Sequence, residues 1–353
     1  MEILAAEQYP EYEAFVRRHP AGSITQSVLW HRVKDNWGHE VVISRDENGG
    51  IAGGMSVLVR RIPVVGSTML YAPRGPVCDY TDRAVLADLK KGVDVLAKKY
   101  CAHVFKMDPD VLVSDADFCG WAAAMGFRQL KGGTGFETIQ ARYNYRLYIE
   151  GRDEDALFKN LTQKTRYNVR VAQKHGVTVA VADNATREPA LDDFMRLMLL
   201  TGERDGFAVR PRAYFARMLE SLGTHARLYI AYYEGQAVSG ALTTNYAGKT
   251  CYIYGASDNA HRNVMPNYLI QWEMIKWALE AGCTVYDFQG ISGNLDESDH
   301  LYGLYRFKKG FNGTIDELAG EFDYVYSAWR YGLADRLIDA NEKLRALKKK
   351  WRR

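Results

Sequence analysis

The sequence predicts an α/β fold of mixed α+β character, made of two tandem copies of one unit, on three observations. The run from Tyr252 to Gly290 reads as a strand, a polar loop, one long helix and a second strand. The same order of elements lies between Glu40 and Asp108. Both copies also leave by a Gly-Phe step, Met125-Gly126-Phe127 in the first and Lys309-Gly310-Phe311 in the second. Self-similarity at this scale marks a duplicated unit; the alternative is chance recurrence of a common order of elements.

Met1–His19 predicts a short strand and a helix. Gln26–Gly38 predicts a helix closed by glycine, with Trp30, Val33 and Trp37 on one face and Lys34 near its edge. In the first copy, Glu40–Ser44 and Ile51–Arg60 are strands around the turn Asp46–Gly50, and Thr68–Ala72 is a third. Val85, Leu89, Val93 and Leu96 recur at helical spacing within Asp82–Lys99, and His103–Met107 is the strand that ends at Asp108. A strand near Glu137–Gln140 follows the Gly-Phe exit, and Tyr143–Glu150 bridges the halves. Leu157–Lys174 predicts one basic helix and Asp192–Arg204 an amphipathic one.

The second copy then runs Ala226–Tyr233, Ala237–Tyr246, Thr250–Tyr254, the long helix and Cys283–Gln289. Pro266 suits a first helical turn because the amide hydrogen it lacks has no partner there, and Gly282 suits a left-handed cap. Asp287 and Gln289 fall at the carboxyl end of a strand, where open α/β sheets place ligands. A strand near Glu317–Phe322 and a basic helix from Asp335 to Arg353 close the chain.

A chain of 353 residues suits about two domains. Its 47% apolar fraction is ample for packed cores, and no apolar run approaches a membrane span. Five scattered cysteines without a C-x-x-C pair fit a reducing cytoplasm better than a disulfide framework or a zinc site. A net charge of +3 is too mild to announce a nucleic-acid binder, though it allows a local basic patch.

Several motifs have a functional and a bland reading. Lys159, Lys164, Arg166, Arg170 and Lys174 lie on one predicted helix without an acid, beside Tyr167. Spaced cations can follow a phosphate backbone, but most such faces are merely solvated. Arg204 and Arg210 flank a glycine-containing turn and can grip a carboxylate or pyrophosphate, or simply pair with Asp205. The basic end Lys348–Arg353 is a soluble tail, with contact to anionic lipid or RNA as the rarer reading. Lys34 is a solvated helix lysine or a ligand contact. There is no P-loop, no H-E-x-x-H and no G-x-S-x-G, so neither a bound metal nor a covalent acyl-enzyme is promoted.

The strand-rich unit with its central helix resembles the GNAT acetyltransferase superfamily, whose members hold coenzyme A pyrophosphate at that helix's amino terminus. Neither copy here suits this. His261–Pro266 lacks glycine and loses a donor at the proline, and Val77–Asp82 carries two acids. No acetyl-CoA, no metal and no other cofactor is expected.

Two GNAT-like halves together with Tyr71-Ala72-Pro73-Arg74-Gly75-Pro76-Val77, Met265-Pro266-Asn267-Tyr268, Tyr286-Asp287-Phe288 before Gly290-Ile291, and Gly303–Phe311 resemble the FemABX family. These are aminoacyl-tRNA-dependent peptidyltransferases of the peptidoglycan interpeptide bridge. No long charged heptad segment interrupts the second half, so the chain is closer to the compact FemX type, without a coiled-coil insertion. The resemblance implies two tandem GNAT-like domains, 1–145 completed by 321–353, and 146–320.

It also implies transfer of Ala, Ser or Gly from aminoacyl-tRNA to the side-chain amine of the third stem-peptide residue of UDP-MurNAc-pentapeptide or lipid II. The amine attacks the ester directly, since the ester is already activated. Lys308 is then the cation at the developing oxyanion, Phe307 the platform for the terminal adenine, and Asp108 the carboxylate that takes or positions the amine's proton. Lys34, Trp37, Arg204, Arg210, Tyr214 and Tyr254 are the implied acceptor contacts. Gly202 and Ala208 depart from the family's hydroxyl-bearing positions, and His103 stands where an aromatic is usual. A cytoplasmic monomer, peripheral at the inner face of the membrane, is the expected setting. The rival readings are a tRNA-dependent transferase acting on another amine, and a non-catalytic RNA- or membrane-associated module.

Overall fold

The structure is a computed structural model that describes residues 1–130, 132–136 and 138–337. The chain divides into two compact units. The first takes residues 1–16, 34–130 and 319–337; the second takes residues 17–33 and 132–318.

In order, the chain forms β1 (Glu2–Ile3), α1 (Tyr9–Arg18), α2 (Val28–Val33), β2 (Gly38–Arg45), β3 (Ile51–Ile62), β4 (Ser67–Ala72) and β5 (Val77–Cys78). Next come α3 (Arg83–Lys99), β6 (Ala102–Met107), α4 (Ala116–Ala124), β7 (Arg128–Leu130), β8 (Tyr143–Tyr148), α5 (Glu154–Asn160), α6 (Gln163–Lys174) and β9 (Thr178–Val181). Then follow α7 (Arg187–Asp205), α8 (Arg212–Leu222), β10 (Ala226–Tyr233), β11 (Gln236–Tyr246), β12 (Lys249–Ser257), α9 (Pro266–Glu280), β13 (Val285–Gly290), α10 (Tyr302–Lys309), β14 (Thr314–Glu317) and β15 (Glu321–Val325).

The first unit holds a sheet ordered β1-β2-β3-β4-β6-β15-β7, with β5 beside β3. Its single parallel pair, β4 and β6, is joined through α3, as a parallel connection requires. Asp82 caps α3 by accepting from the Ala84 and Val85 amides, and the buried stripe Val85, Leu89, Val93 and Leu96 lies on the sheet's core. The second unit repeats the plan with the order β14-β8-β13-β12-β11-β10-β9. Its parallel pair, β12 and β13, is joined through α9, which starts at Pro266 and is followed by Gly282 at φ +67°. Leu269, Trp272, Ile275 and Ala278 bury the inner face of α9 in this core. The fold is thus the doubled α/β unit that the repeated order of elements predicts. The longest described helix is α7, at 19 residues, and none of the described helices is apolar enough to cross a membrane.

One position in each sheet is filled from elsewhere in the chain. β8 follows the exit strand β7 in sequence yet lies beside β13, and β15 follows β14 yet lies between β6 and β7.

Other details depart from the sequence reading. Residues 17–33, expected in the first domain, belong to the second unit, because α2 packs on α8. Two bonds hold it there, Arg217 Nε to the Val33 carbonyl (3.2 Å) and Lys249 Nζ to the Gly22 carbonyl (3.2 Å). β8 likewise moves the start of the second unit ahead of residue 146. The helix expected over Gln26–Gly38 is only Val28–Val33. The expected single helix Leu157–Lys174 is two, since Thr162 turns out of line and caps α6 by accepting from the Thr165 amide. Thr138–Gln140 forms no strand, and Glu137 lies outside the described residues, as does 338–353, most of the predicted carboxyl-terminal helix.

Candidate active site

The two parallel pairs differ in a way that matters. β4 and β6 stay paired to their last residues, Ala72 with Met107. β12 and β13 pair only from Lys249–Val285 to Cys251–Asp287, after which β12 runs on to Ser257 alone on that side. A bulge lies in the same stretch: Leu242 faces Tyr254 and Thr243 faces Tyr252, leaving Ile253 unmatched. The extra residue turns the two tyrosines to different neighbours. Tyr252 joins the core around α9, whereas Tyr254 packs edge-on against Phe215 of α8 at 5.1 Å.

The strands part to leave a groove of about 830 Å³ in the second unit. Its walls are the first turns of α6 and α9, the end of α7, the far half of β12 with the loop after it, and α10. Lys164, Arg204, Arg262, Arg306 and Lys309 line it against only two carboxylates, Asp205 and Asp258. Asp258 is already paired with His261 at 2.8 Å. Tyr252, Tyr268 and Phe307 are the aromatic lining, Tyr268 and Phe307 standing edge to face at 5.0 Å. The α6 and α10 walls are tied together, for the Thr162 amide donates to the Gly310 carbonyl at 3.0 Å. A groove so lined favours an anion carrying a flat ring: phosphates on the cations, a base on the aromatics.

Of the sequence-predicted residues, Arg204 and Phe307 meet on this groove. Arg204 sits in the last turn of α7, which Gly206 ends in the left-handed conformation. Its guanidinium grips Asp205 through Nε (2.7 Å) and Nη2 (2.9 Å), and Nη1 donates to the Ser257 carbonyl at 3.1 Å. The local Arg–Asp pair is therefore formed, on the groove wall. Arg210, Tyr214 and Tyr254 gather in a separate stack: Arg210 lies over the Tyr214 ring at 5.5 Å, and Tyr214 meets Tyr254 edge-on at 6.4 Å.

Lys308 is not among the residues that line the groove. It is 3% exposed, and its ammonium donates to the carbonyls of Phe288 (2.6 Å), Gln289 (3.2 Å) and Gly290 (2.7 Å). The reason is local. Gln289 bends β13 at φ +62°, turning consecutive carbonyls toward α10, and three acceptors match the three N–H donors of an ammonium. Burial pulls the Lys308 pKa down to about 7, against the opposing charge of Asp287. Asp287 itself accepts from Arg146 at 2.9 Å, so neither it nor Gln289 reaches into the groove as the strand-end position predicted.

Asp108, Lys34 and Trp37 belong to the first unit. Asp108 is 1% exposed and accepts from the Tyr71 hydroxyl (2.6 Å) and the Arg74 amide (2.6 Å). Burial pushes its carboxyl up to about 6, although Arg74 and Tyr71 oppose the shift. Arg74 is held at φ +54°, a conformation that costs a non-glycine residue about 1–3 kcal/mol. Trp37 packs on Tyr71 at 6.5 Å between ring centres, and Arg60 lies over the Trp37 ring at 5.1 Å. The carboxylate thus sits at the end of a chain Trp37–Tyr71–Asp108. Lys34 lies beside it in sequence, in the turn whose carbonyl accepts the Trp37 amide at 2.9 Å.

Sequence reasoning passed over Arg262, Arg306, Lys309, Tyr252 and Tyr268 as groove residues. The available signal was the density of cations and aromatics in Gly303–Phe311 and around Met265-Pro266. Among the described residues no cluster of His, Cys, Asp and Glu is placed to hold a metal ion.

A doubled acyltransferase scaffold with one open strand splay defines the class. The model of the FemAB family matches residues 8–236 and 233–338, and the chain belongs to that family. It is similar to the lipid II:glycine glycyltransferase of Staphylococcus haemolyticus (strain JCSC1435), 31% identical over 93% of this chain and 94% of that protein. The protein of the same name from Staphylococcus aureus (strain USA300) is 30% identical, over 96% and 98% of the two chains. The crystal structure of FemX superposes with a TM-score of 0.86 at 28% identity, over 94% of this chain and 99% of that one. A tandem GNAT protein of clavulanic acid biosynthesis, at 13% identity and TM-score 0.57, shares the fold.

Proposed function

We propose that this chain is a cytoplasmic transferase that moves an amino acid from aminoacyl-tRNA to the third-residue side-chain amine of a peptidoglycan precursor. The observation that carries the reading is the second-unit groove, rich in cations and aromatics at a strand splay that has no glycine loop for coenzyme A. The relatives named for glycine transfer to lipid II support the acceptor class.

The aminoacyl ester needs no further activation, so catalysis reduces to placement and charge. In this reading Phe307 and Tyr268 stack the terminal adenine, while Lys164, Arg306 and Lys309 take its phosphates. Lys308 contributes a buried charge at the root of the splay and fixes the end of β13. A direct bond to the oxyanion would use the N–H now given to Gln289, its longest contact at 3.2 Å. Asp108, raised to about 6, accepts the proton the amine loses on attack. Lys34, Trp37, Arg204, Arg210, Tyr214 and Tyr254 are assigned to acceptor recognition.

The test is purified protein with a pool of charged tRNAs, offered UDP-MurNAc-pentapeptide and lipid II side by side, with mass spectrometry of the products. A stem peptide heavier by one Gly, Ala or Ser residue on its third side chain is expected. Consumption of aminoacyl-tRNA without change to either precursor would move the activity to another amine, and no consumption would end the reading.

A further inference from the structure

Among the described residues, the buried polar side chains on the walls of the second-unit groove are Thr165, Asn168, Thr201 and Asp258. Thr165, Thr201 and Asp258 have partners within the unit. Thr165 Oγ1 accepts from Thr162 Oγ1 at 3.0 Å, Thr201 Oγ1 donates to the Leu197 carbonyl at 2.8 Å, and Asp258 is paired with His261. Asn168, only 3% exposed, differs: among the described residues its carboxamide meets no donor and no acceptor. A buried amide is seldom left so, because burial strips its water and folding returns nothing for it. On a groove wall, such a group points to a ligand that pairs it.

We propose that Asn168 sets the base specificity of the groove by hydrogen-bonding the edge of an adenine stacked on Tyr268 and Phe307; this rests on the reading of the groove as the site for an RNA 3′ end. Lys164 and Asn168 are four residues apart and share one face of α6, the lysine exposed and the asparagine buried one turn further along. α6 packs against α9, whose first turn carries Tyr268. A carboxamide offers N–H donors and a carbonyl acceptor side by side, and that separates the candidate ligands. A phosphate only accepts, and the cations of the groove suit it better. An ammonium only donates. The edge of adenine matches both halves: its N6 amine donates to Oδ1 while N7 accepts from Nδ2. Guanine shows two acceptors there, O6 and N7, so Oδ1 would stay unpaired and the base would be disfavoured.

The test is fluorescence anisotropy of the full chain with two RNA hairpins whose single-stranded 3′ tails differ only in the last base, adenine or guanine. The adenine-ended hairpin is expected to bind about tenfold or more tightly, the scale of a bidentate base contact. Asn168→Leu should bring the two within about twofold and leave the melting temperature at or above that of the native chain, because an apolar side chain of similar shape removes an unpaired amide. Asn168→Ala, which cannot crowd the site, should lose the preference as well. Lys164→Gln should weaken both hairpins alike, since a phosphate contact carries no sequence. Equal binding of the two hairpins by the native chain would overturn the proposal and leave the RNA reading of the groove standing, whereas binding of neither would remove both. A preference kept by both Asn168 variants would overturn it. So would a melting temperature lowered by both, which would make the amide a part of the fold rather than a reader of the base.

Discussion

Asp108 is a carboxyl that burial holds at about 6, against an ordinary 3.8. A folded-state pKa above the unfolded one means the native state keeps a proton that the unfolded chain has already lost. The stabilising contribution is full below about pH 4 and is lost as pH rises through about 6. If its ionised form takes the amine's proton, kcat/KM should climb about tenfold per pH unit up to about 6 and then level. Asp108→Asn should abolish that limb; a variant profile that still bends near 6 would assign the titration elsewhere. Lys308 has the opposite sign. Its pKa falls to about 7 from 10.5, so its stabilising contribution is present above the unfolded value and lost as pH drops toward 7. Denaturant unfolding of the native chain should therefore show stability gained between pH 7 and 10 that Lys308→Met does not gain. The same substitution strands the carbonyls of Phe288, Gln289 and Gly290, at about 1–3 kcal/mol for each left without a partner. It should also lower turnover on the order of 10²–10³, the scale of one lost oxyanion stabiliser.

At the scale of elements, the groove depends on how closely α10 approaches α6. A Cβ on Gly310 would meet Thr165 Oγ1 at 2.3 Å, and the Gly310 carbonyl takes the Thr162 amide at 3.0 Å. Gly310→Ala should push the two walls apart, raising KM for aminoacyl-tRNA about tenfold while the far-UV circular dichroism stays native. An unchanged KM would mean that the tRNA end does not bind there. The elements that form this wall were unevenly legible in the sequence. α9 and β13 were readable because Pro266, Gly282 and the apolar spacing of α9 are local signals. The break between α5 and α6 was not, since Thr162 interrupts a run that is helical in every other respect, and its reason is the partner at Gly310. Phe307 and Arg204, singled out in the sequence by motif and turn, both line the groove. The direction of Lys308 was hidden, because only the bent end of β13 supplies the three carbonyls that draw it away. The cation density of the groove was hidden for a related reason. Lys164, Arg262 and Lys309 are far apart in sequence and converge only where β12 and β13 part.

For the molecule as a whole, the exchanged strands decide what can fold alone. β15 is the strand between β6 and β7, and β7, with three residues, has no other partner among the described strands. Phe322 of β15 is 1% exposed and meets Phe118 at 5.5 Å. Asp323 is 0% exposed and takes Lys106 Nζ at 2.5 Å. A chain cut after Leu318 keeps every strand of the second sheet, whose last member β14 ends at Glu317. It loses an interior strand of the first sheet and leaves the part-buried Lys106 without that carboxylate. Hydrogen exchange on this truncated chain should show β2, β3, β4 and β6 deprotected while β10 to β13 stay protected. A chain cut after Leu337 keeps every described strand and should exchange over them as the full chain does. If the first cut left the first sheet as protected as before, β15 would be a strand the sheet can do without, and the exchange of strands would carry no share of the fold's stability.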